Sequence, residues 1–254
     1  MSTAHAGAEY ERRPETKSTP ETRERSARYL DAAADAFEAM RREMPEVIGL
    51  TAFGSTVRGE AGPESDADVY LYVETSDTAP YQTVKPGMEA VQRRDSGSLE
   101  GTYEFNPAIA MNYKWKFYTD LKERGIPKSD IVLAPINDEI ITSQVDEMLD
   151  YAAAFDMEDL KTADKKCPRN VRGLFHAPVQ DEGLKGYRDK VLARLVDSEH
   201  GEKVWMMISH FVEGFERRKT DATSSRPDHR TMPRTLGEAI EHYNGTDGIR
   251  EKAA

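Results

Sequence analysis

Cysteine is almost missing from this chain. One thiol, Cys167, stands in 254 residues, which excludes an intramolecular disulfide framework and a cysteine-based zinc site. A buried or loop thiol is the ordinary reading of such a residue. Long apolar runs are absent too, and no stretch of the sequence is long and apolar enough to read as a membrane span. The first twenty residues mix Glu and Arg without the basic-then-apolar order of a secretory leader, so a cytoplasmic protein with no membrane partner is expected. Basic charge is in deficit: 35 Lys and Arg face 46 Asp and Glu, for a formal net charge of −11. Lysine and arginine supply most nucleic-acid affinity by neutralising phosphates, so a long DNA or RNA is disfavoured as a partner. Arg217, Arg218 and Lys219 form a local basic patch that reads as a contact point or as a solvated helix end.

What is present suffices for a core, with 38% hydrophobic residues. Residues 1–17 are polar, lack apolar periodicity and read as a flexible N-terminus. Thr19-Pro20-Glu21 reads as a helix start, since the Thr hydroxyl can accept from orphan amides and Pro suits the first helical position. Tyr29, Leu30, Ala33, Phe37 and Met40 recur at helical spacing and carry that helix to about Arg42. The short, apolar, partly β-branched segment 47–53 predicts a buried strand ending at Gly54, and a second strand is predicted over 67–74. Residues 75–102 have no firm period and read as an insertion or excursion. A helix over 106–124 is stopped by Gly125-Ile126-Pro127, a third strand covers 130–135, and a helix covers 138–155. Residues 156–182 read as a connection punctuated by Pro and Gly. Helices follow near 185–196, 202–218 and 236–243, with a loop over 220–234.

The chemistry concentrates in Phe53-Gly54-Ser55-Thr56-Val57-Arg58-Gly59-Glu60 and, after five intervening residues, Asp66-Ala67-Asp68-Val69-Tyr70-Leu71. Physically this is a strand, a Gly-Ser turn, a polar loop, and a strand opening with two carboxylates. Side chains two apart on a strand share a face, so Asp66 and Asp68 can hold the same pair of cations. Mg²⁺ takes hard oxygen ligands and is usually bound by one or two carboxylates plus substrate phosphates. Gly54 lets backbone approach a phosphate, while the amide and hydroxyl of Ser55 can donate to its oxygens. Arg58 reads either as a two-donor contact to a triphosphate or as a solvated loop arginine.

An apolar strand, Gly54-Ser55, the spacer 56–65 and Asp66-x-Asp68 at the head of an apolar strand together resemble the nucleotidyltransferase superfamily that includes DNA polymerase beta and the aminoglycoside nucleotidyltransferases. Gly-Ser-x-x-Arg-Gly-Glu-Ala with Ser-Asp-x-Asp is close to its small bacterial and archaeal members. The resemblance implies an α+β catalytic domain over residues 18–155, a mixed sheet flanked by helices, and a mostly helical region over 156–254 that closes one side of a cleft. It implies Mg²⁺-dependent transfer of a nucleoside monophosphate from an NTP to an acceptor hydroxyl or amine, with pyrophosphate released. Two Mg²⁺ ions would be held by Asp66, Asp68 and a third carboxylate on a neighbouring strand. Asp130, opening Asp130-Ile131-Val132-Leu133, is the choice for that third group, or for taking the acceptor's proton, with Glu104 in reserve. A small molecule or a protein side chain is favoured as acceptor over a long nucleic acid, with an RNA end among the alternatives.

Other readings stand beside this one. Lys185, Arg188 and Lys190 read as contacts to the triphosphate or acceptor, or as charges on a helix surface. Arg194 and His200, separated by five residues, resemble the loose Arg, spacer, His pattern of the HEPN ribonucleases, against a histidine that merely ends a helix. His176, His210 and His229 are not spaced as a ligand set. A nucleotide-binding module without turnover is the remaining alternative, and the intact Gly-Ser and Asp-x-Asp motifs argue against it.

Overall fold

Helix α1, Pro20–Glu43, begins where the capping pattern puts it: the Thr22 amide donates to the Thr19 hydroxyl at 3.2 Å and the Thr19 amide to the Thr22 hydroxyl at 2.8 Å. The computed structural model describes residues 18–75, 90–93, 102–105, 107–154, 167–217 and 232–250; the expected flexible segment 1–17 and most of the loop 220–234 lie outside them. The chain continues through strand β1 (Val47–Phe53), a single turn α2 (Gly54–Val57), β2 (Ala67–Glu74), β3 (Ala90–Arg93), β4 (Thr102–Phe105), α3 (Pro107–Glu123), β5 (Ser129–Ile136) and α4 (Asp138–Ala154). Then come α5 (Arg169–Gly173), β6 (Ala177–Gln180), a 3-10 turn (Glu182–Leu184), α6 (Lys185–Val196), α7 (Gly201–Arg217) and α8 (Leu236–Arg250).

Four strands form one mixed sheet in the order β5-β2-β1-β6. β1 pairs antiparallel with both β2 and β6, while β2 and β5 run parallel. β3 and β4 form a separate antiparallel pair. Both faces of the main sheet are covered, which is why its strands read as nearly continuous apolar runs instead of alternating ones. Val69, Leu71 and Val73 of β2 join Leu50 and Ala52 in a core under α1 and α3, with Phe37, Met40, Phe117 and Leu121. Tyr70 and Tyr72 point the other way, into a second core with Phe53, Ala134 and Ile136 and with Val145, Val171, Leu192, Trp205 and Ile208 of α4 to α7. Asp68 shares the parity of Tyr70 and so belongs to this second face.

The fold is of the expected α+β kind, but two segments carry structure that local pattern does not predict. Residues 75–102, read as an excursion, contain β3 and the first residue of β4, with 76–89 and 94–101 outside the described residues. The connection 156–182 contains α5 and β6, and β6 supplies the fourth strand of the main sheet. A four-residue edge strand holding Pro178 is too short to show a period, and proline is tolerated there because an edge needs fewer ladder donors. α8 also runs on to Arg250, past the short stretch its sequence suggests.

α5 is fastened to the sheet by polar contacts from three strands. The Thr51 hydroxyl donates to the Gly173 carbonyl at 2.9 Å, the Tyr72 hydroxyl to the Asn170 carbonyl at 3.1 Å, and the Asn170 amide to the Pro135 carbonyl. No helix among the described residues is long and apolar enough to cross a membrane.

Candidate active site

Strand register assembles the acidic residues. Phe53 at the end of β1 stands opposite Asp68 on β2, and Asp68 stands opposite Asp130 on β5. Asp66 lies just before β2, exposed like Asp130, while Asp68 is half-buried. The Thr56 hydroxyl donates to the Asp66 carbonyl at 3.3 Å and ties the head of β2 to the one-turn helix α2. Glu104 falls in β4, in the other sheet, opposite Val91.

Gly54 has φ +76°, a conformation costly for any residue with a Cβ. A Cβ there would lie 2.0 Å from Asp68 Oδ2. The turn therefore needs glycine for two intramolecular reasons, whatever it binds. Ser55 follows, half-buried, and its carbonyl accepts from the Glu60 amide at 2.9 Å.

The rest of the spacer is held from outside its own strands. The Thr22 hydroxyl donates to the Gly59 carbonyl at 2.8 Å, Arg25 to the Ala61 carbonyl at 3.0 Å, and the Ala61 amide to the Ser26 hydroxyl at 3.1 Å. Arg58 is not a solvated loop arginine. Its Nε lies 2.8 Å from Glu60 Oε2, with the two side chains only 8% and 3% exposed. The sequence pattern gives no hint of this buried pair, nor of the bracing by α1.

Burial pushes the Asp68 carboxyl up to about 6; the negative charges of Asp130 and Asp66 add to the shift and Arg58 opposes it. Asp68 thus feels both of the other acids at one end of the sheet. Among the described residues no three acidic, histidine or cysteine side chains converge as a ready-made cation cage. With its native pKa above the value of about 4 of an unfolded aspartate, Asp68 contributes stability that is fully present below pH 4 and lost as pH rises through 6. Asp68→Asn should therefore stabilise the metal-free protein at pH 7.5 by about 1–2 kcal/mol after allowance for solvent screening of a partly exposed group. Urea denaturation of both proteins at pH 7.5 and pH 4.5 checks this, with the gap narrowing at the lower pH; an equal gap at both would show that charge is not its cause.

Behind the acids the same face carries groups that pattern reading passed over. His176 is buried beside Phe53 and Tyr70, with ring centroids 5.4 Å and 5.3 Å away. Burial, reinforced by Arg172, pushes its imidazole down to about 3, so it is neutral at physiological pH. Arg172 of α5 donates from Nε to the Tyr70 hydroxyl at 3.1 Å and lies over the Phe211 ring, 3.8 Å from its centroid. No local signal marks either residue, because both sit in the stretch that shows no period.

The other basic candidates are engaged away from the acids. Arg188 pairs with Asp181 and Lys190 with Asp138, while Lys185 is exposed at the start of α6. Arg194 and His200 do line one surface pocket of about 650 Å³, yet Asp146, Asp150, Asp197 and Glu199 line it too. Arg194 Nε is 2.7 Å from Asp146, and His200 is 3.4 Å from Glu199. Such an acidic lining repels a phosphodiester. His210 is exposed on α7, and Arg218, Lys219 and His229 lie outside the described residues.

A family model described as a nucleotidyltransferase domain matches residues 34–152. The match runs from the middle of α1 into α4 and takes in Gly54, Ser55, Asp66, Asp68 and Asp130. No curated protein matches the chain.

Proposed function

We propose, from the premise that residues 34–152 form a nucleotidyltransferase domain, that this chain transfers a nucleoside monophosphate from an NTP to an acceptor hydroxyl or amine and releases pyrophosphate. The observation that carries the reading is the register of Asp68 against Asp130, with the Gly54-Ser55 turn packed against the Asp68 carboxylate. A bare Asp-x-Asp would be a weak signal in so acidic a sequence. Two acids from adjacent parallel strands beside a glycine turn form a constellation.

The donor set fits Mg²⁺. Asp66, Asp68 and Asp130 offer hard oxygens, their mutual repulsion raises the affinity of Asp68 for a positive charge, and an incomplete cage suits an ion that keeps waters and uses substrate phosphates. Bound by these three residues, two Mg²⁺ ions would neutralise charge on the attacking and leaving oxygens. The remaining work belongs to the chain. The Ser55 amide and hydroxyl donate to phosphate oxygens, and the rigid Arg58–Glu60 pair and α1 hold the spacer so that those donors do not reorganise during reaction. Asp130, exposed at the head of β5, would help hold the cations or would accept the proton lost by the acceptor as its oxygen or nitrogen bonds the α-phosphorus and pyrophosphate departs. Catalysis of this kind is mainly positioning and charge neutralisation.

A small molecule or a protein side chain is the favoured acceptor, since the charge balance opposes long nucleic acids. Mass spectrometry of candidate acceptors, and of the protein itself, after incubation with each NTP and Mg²⁺ tests the proposal. The expected product is an acceptor heavier by one nucleoside monophosphate, with pyrophosphate in equal amount. NTP binding with no product across all acceptors would favour a nucleotide-binding module.

A further inference from the structure

A triphosphate brings more negative charge to an edge that already holds three carboxylates, and its recognition calls for fixed cations on the same face. Of the arginines and lysines that sequence pattern nominates, Arg58 pairs with Glu60, Arg188 with Asp181 and Lys190 with Asp138. We infer that Arg172 of α5 is a polyphosphate-binding residue of the donor site, and this inference rests on the nucleotidyltransferase reading.

Geometry is the first support. Arg172 donates to the hydroxyl at the tip of the Tyr70 side chain, whose backbone position lies two residues along β2 from that of Asp68 on the same face, about 7 Å at strand spacing. Its guanidinium stacks on Phe211 of α7, and α7 also packs against α2, which carries Gly54 and Ser55. One helix thus touches both the arginine and the phosphate turn. Arg172 also donates from Nη1 to the Cys167 carbonyl at 3.4 Å, so its edge is held at two points and its face at a third. A planar fork fixed in this way gives up little conformational entropy when it meets a phosphate.

The local field is the second support. Burial is the main influence on Tyr72, Cys167 and His176, and the positive charge of Arg172 acts on each of them as well, against its more positive form. A positive charge therefore lies on the same face of the sheet as the acids, among buried aromatic rings where charge is poorly screened. The acids with their cations would take the reacting end of the donor, and Arg172 the phosphates that leave as pyrophosphate.

The test is titration calorimetry of the full chain with each NTP and its matching NDP and NMP in Mg²⁺, for wild type, Arg172→Gln, Arg172→Lys and Tyr70→Phe. Arg172→Gln should weaken NTP binding by about 10- to 100-fold, the range of a lost charge-assisted contact, weaken NDP binding less, and leave NMP binding unchanged. Arg172→Lys should recover part of the loss. Tyr70→Phe, which keeps the charge and removes one anchor, should weaken NTP by less than Arg172→Gln with the same dependence on phosphate number. It also keeps the test decisive should Arg172→Gln fail to fold. Equal weakening for NTP and NMP, or none, would reduce Arg172 to a packing residue and overturn this inference while leaving nucleotide transfer intact. A wild type that binds no NTP would overturn both.

Discussion

Asp68→Asn is expected to lower turnover by about 10²-fold or more in a protein that remains folded and, when free of metal, is more stable than wild type. Asparagine keeps the shape of the side chain and removes the charge. Asp68 is flanked in register by Phe53 and Asp130 and feels the charges of both Asp130 and Asp66, so its carboxylate is the centre of the acidic edge. Asp66→Asn and Asp130→Asn should each cause a loss of the same kind. Residues that act as a unit are strongly non-additive, so the double change Asp66→Asn with Asp68→Asn should be little worse than the worse single change. Steady-state pyrophosphate release at saturating Mg²⁺, with the acceptor found by mass spectrometry, measures all four. Near-normal turnover in Asp68→Asn would remove the metal assignment. If Asp130→Asn alone were near normal, the third carboxylate would have to be sought elsewhere, beginning with Glu104.

Replacing Gly54 by valine should be nearly as damaging, for a reason that combines backbone and side chain. At φ +76° a residue with a Cβ is strained by about 1–2 kcal/mol, and the new atom would fall 2.0 Å from Asp68 Oδ2. Either the turn leaves its conformation or the carboxylate moves, and both separate the proposed phosphate donors from the proposed cation ligands. A misplacement of about 1 Å in such a site costs about 10²-fold. Gly54→Val should therefore weaken NTP binding more than Ser55→Ala, which removes one hydroxyl donor and leaves the backbone intact. Calorimetry with NTP and Mg²⁺ on proteins shown to be folded separates the two. Unchanged affinity and turnover in a folded Gly54→Val protein would remove the turn from the mechanism.

Much of the scaffold around these residues is written locally. The reciprocal Thr19 and Thr22 contacts, the apolar stripe from Tyr29 to Met40, and the apolar runs of β1, β2 and β5 depend on neighbours within a few positions, so periodicity and capping chemistry locate them to within a residue or two. The Gly54-Ser55 step and the two aspartates are legible for the same reason, since a turn and a same-face pair are local geometry. Asp130 is legible as the head of a strand, whereas its register opposite Asp68 is not. Parallel pairing joins segments 62 residues apart through a crossover, and hydrogen-bond register across that distance is set by packing on both faces of the sheet.

The amino-acid order alone therefore determined the helix and strand frame, the glycine turn and the two carboxylates of one strand, because each is a property of a few adjacent residues. Tertiary structure alone decided that β6 completes the sheet, that Arg58 is buried against Glu60, and that α1 braces the spacer through Thr22, Arg25 and Ser26. It alone also brought Arg172, 104 positions after Asp68, onto the face that carries the acids. An ion pair, an edge strand and a stacked guanidinium are defined by which surfaces meet, and no short stretch of sequence carries that information.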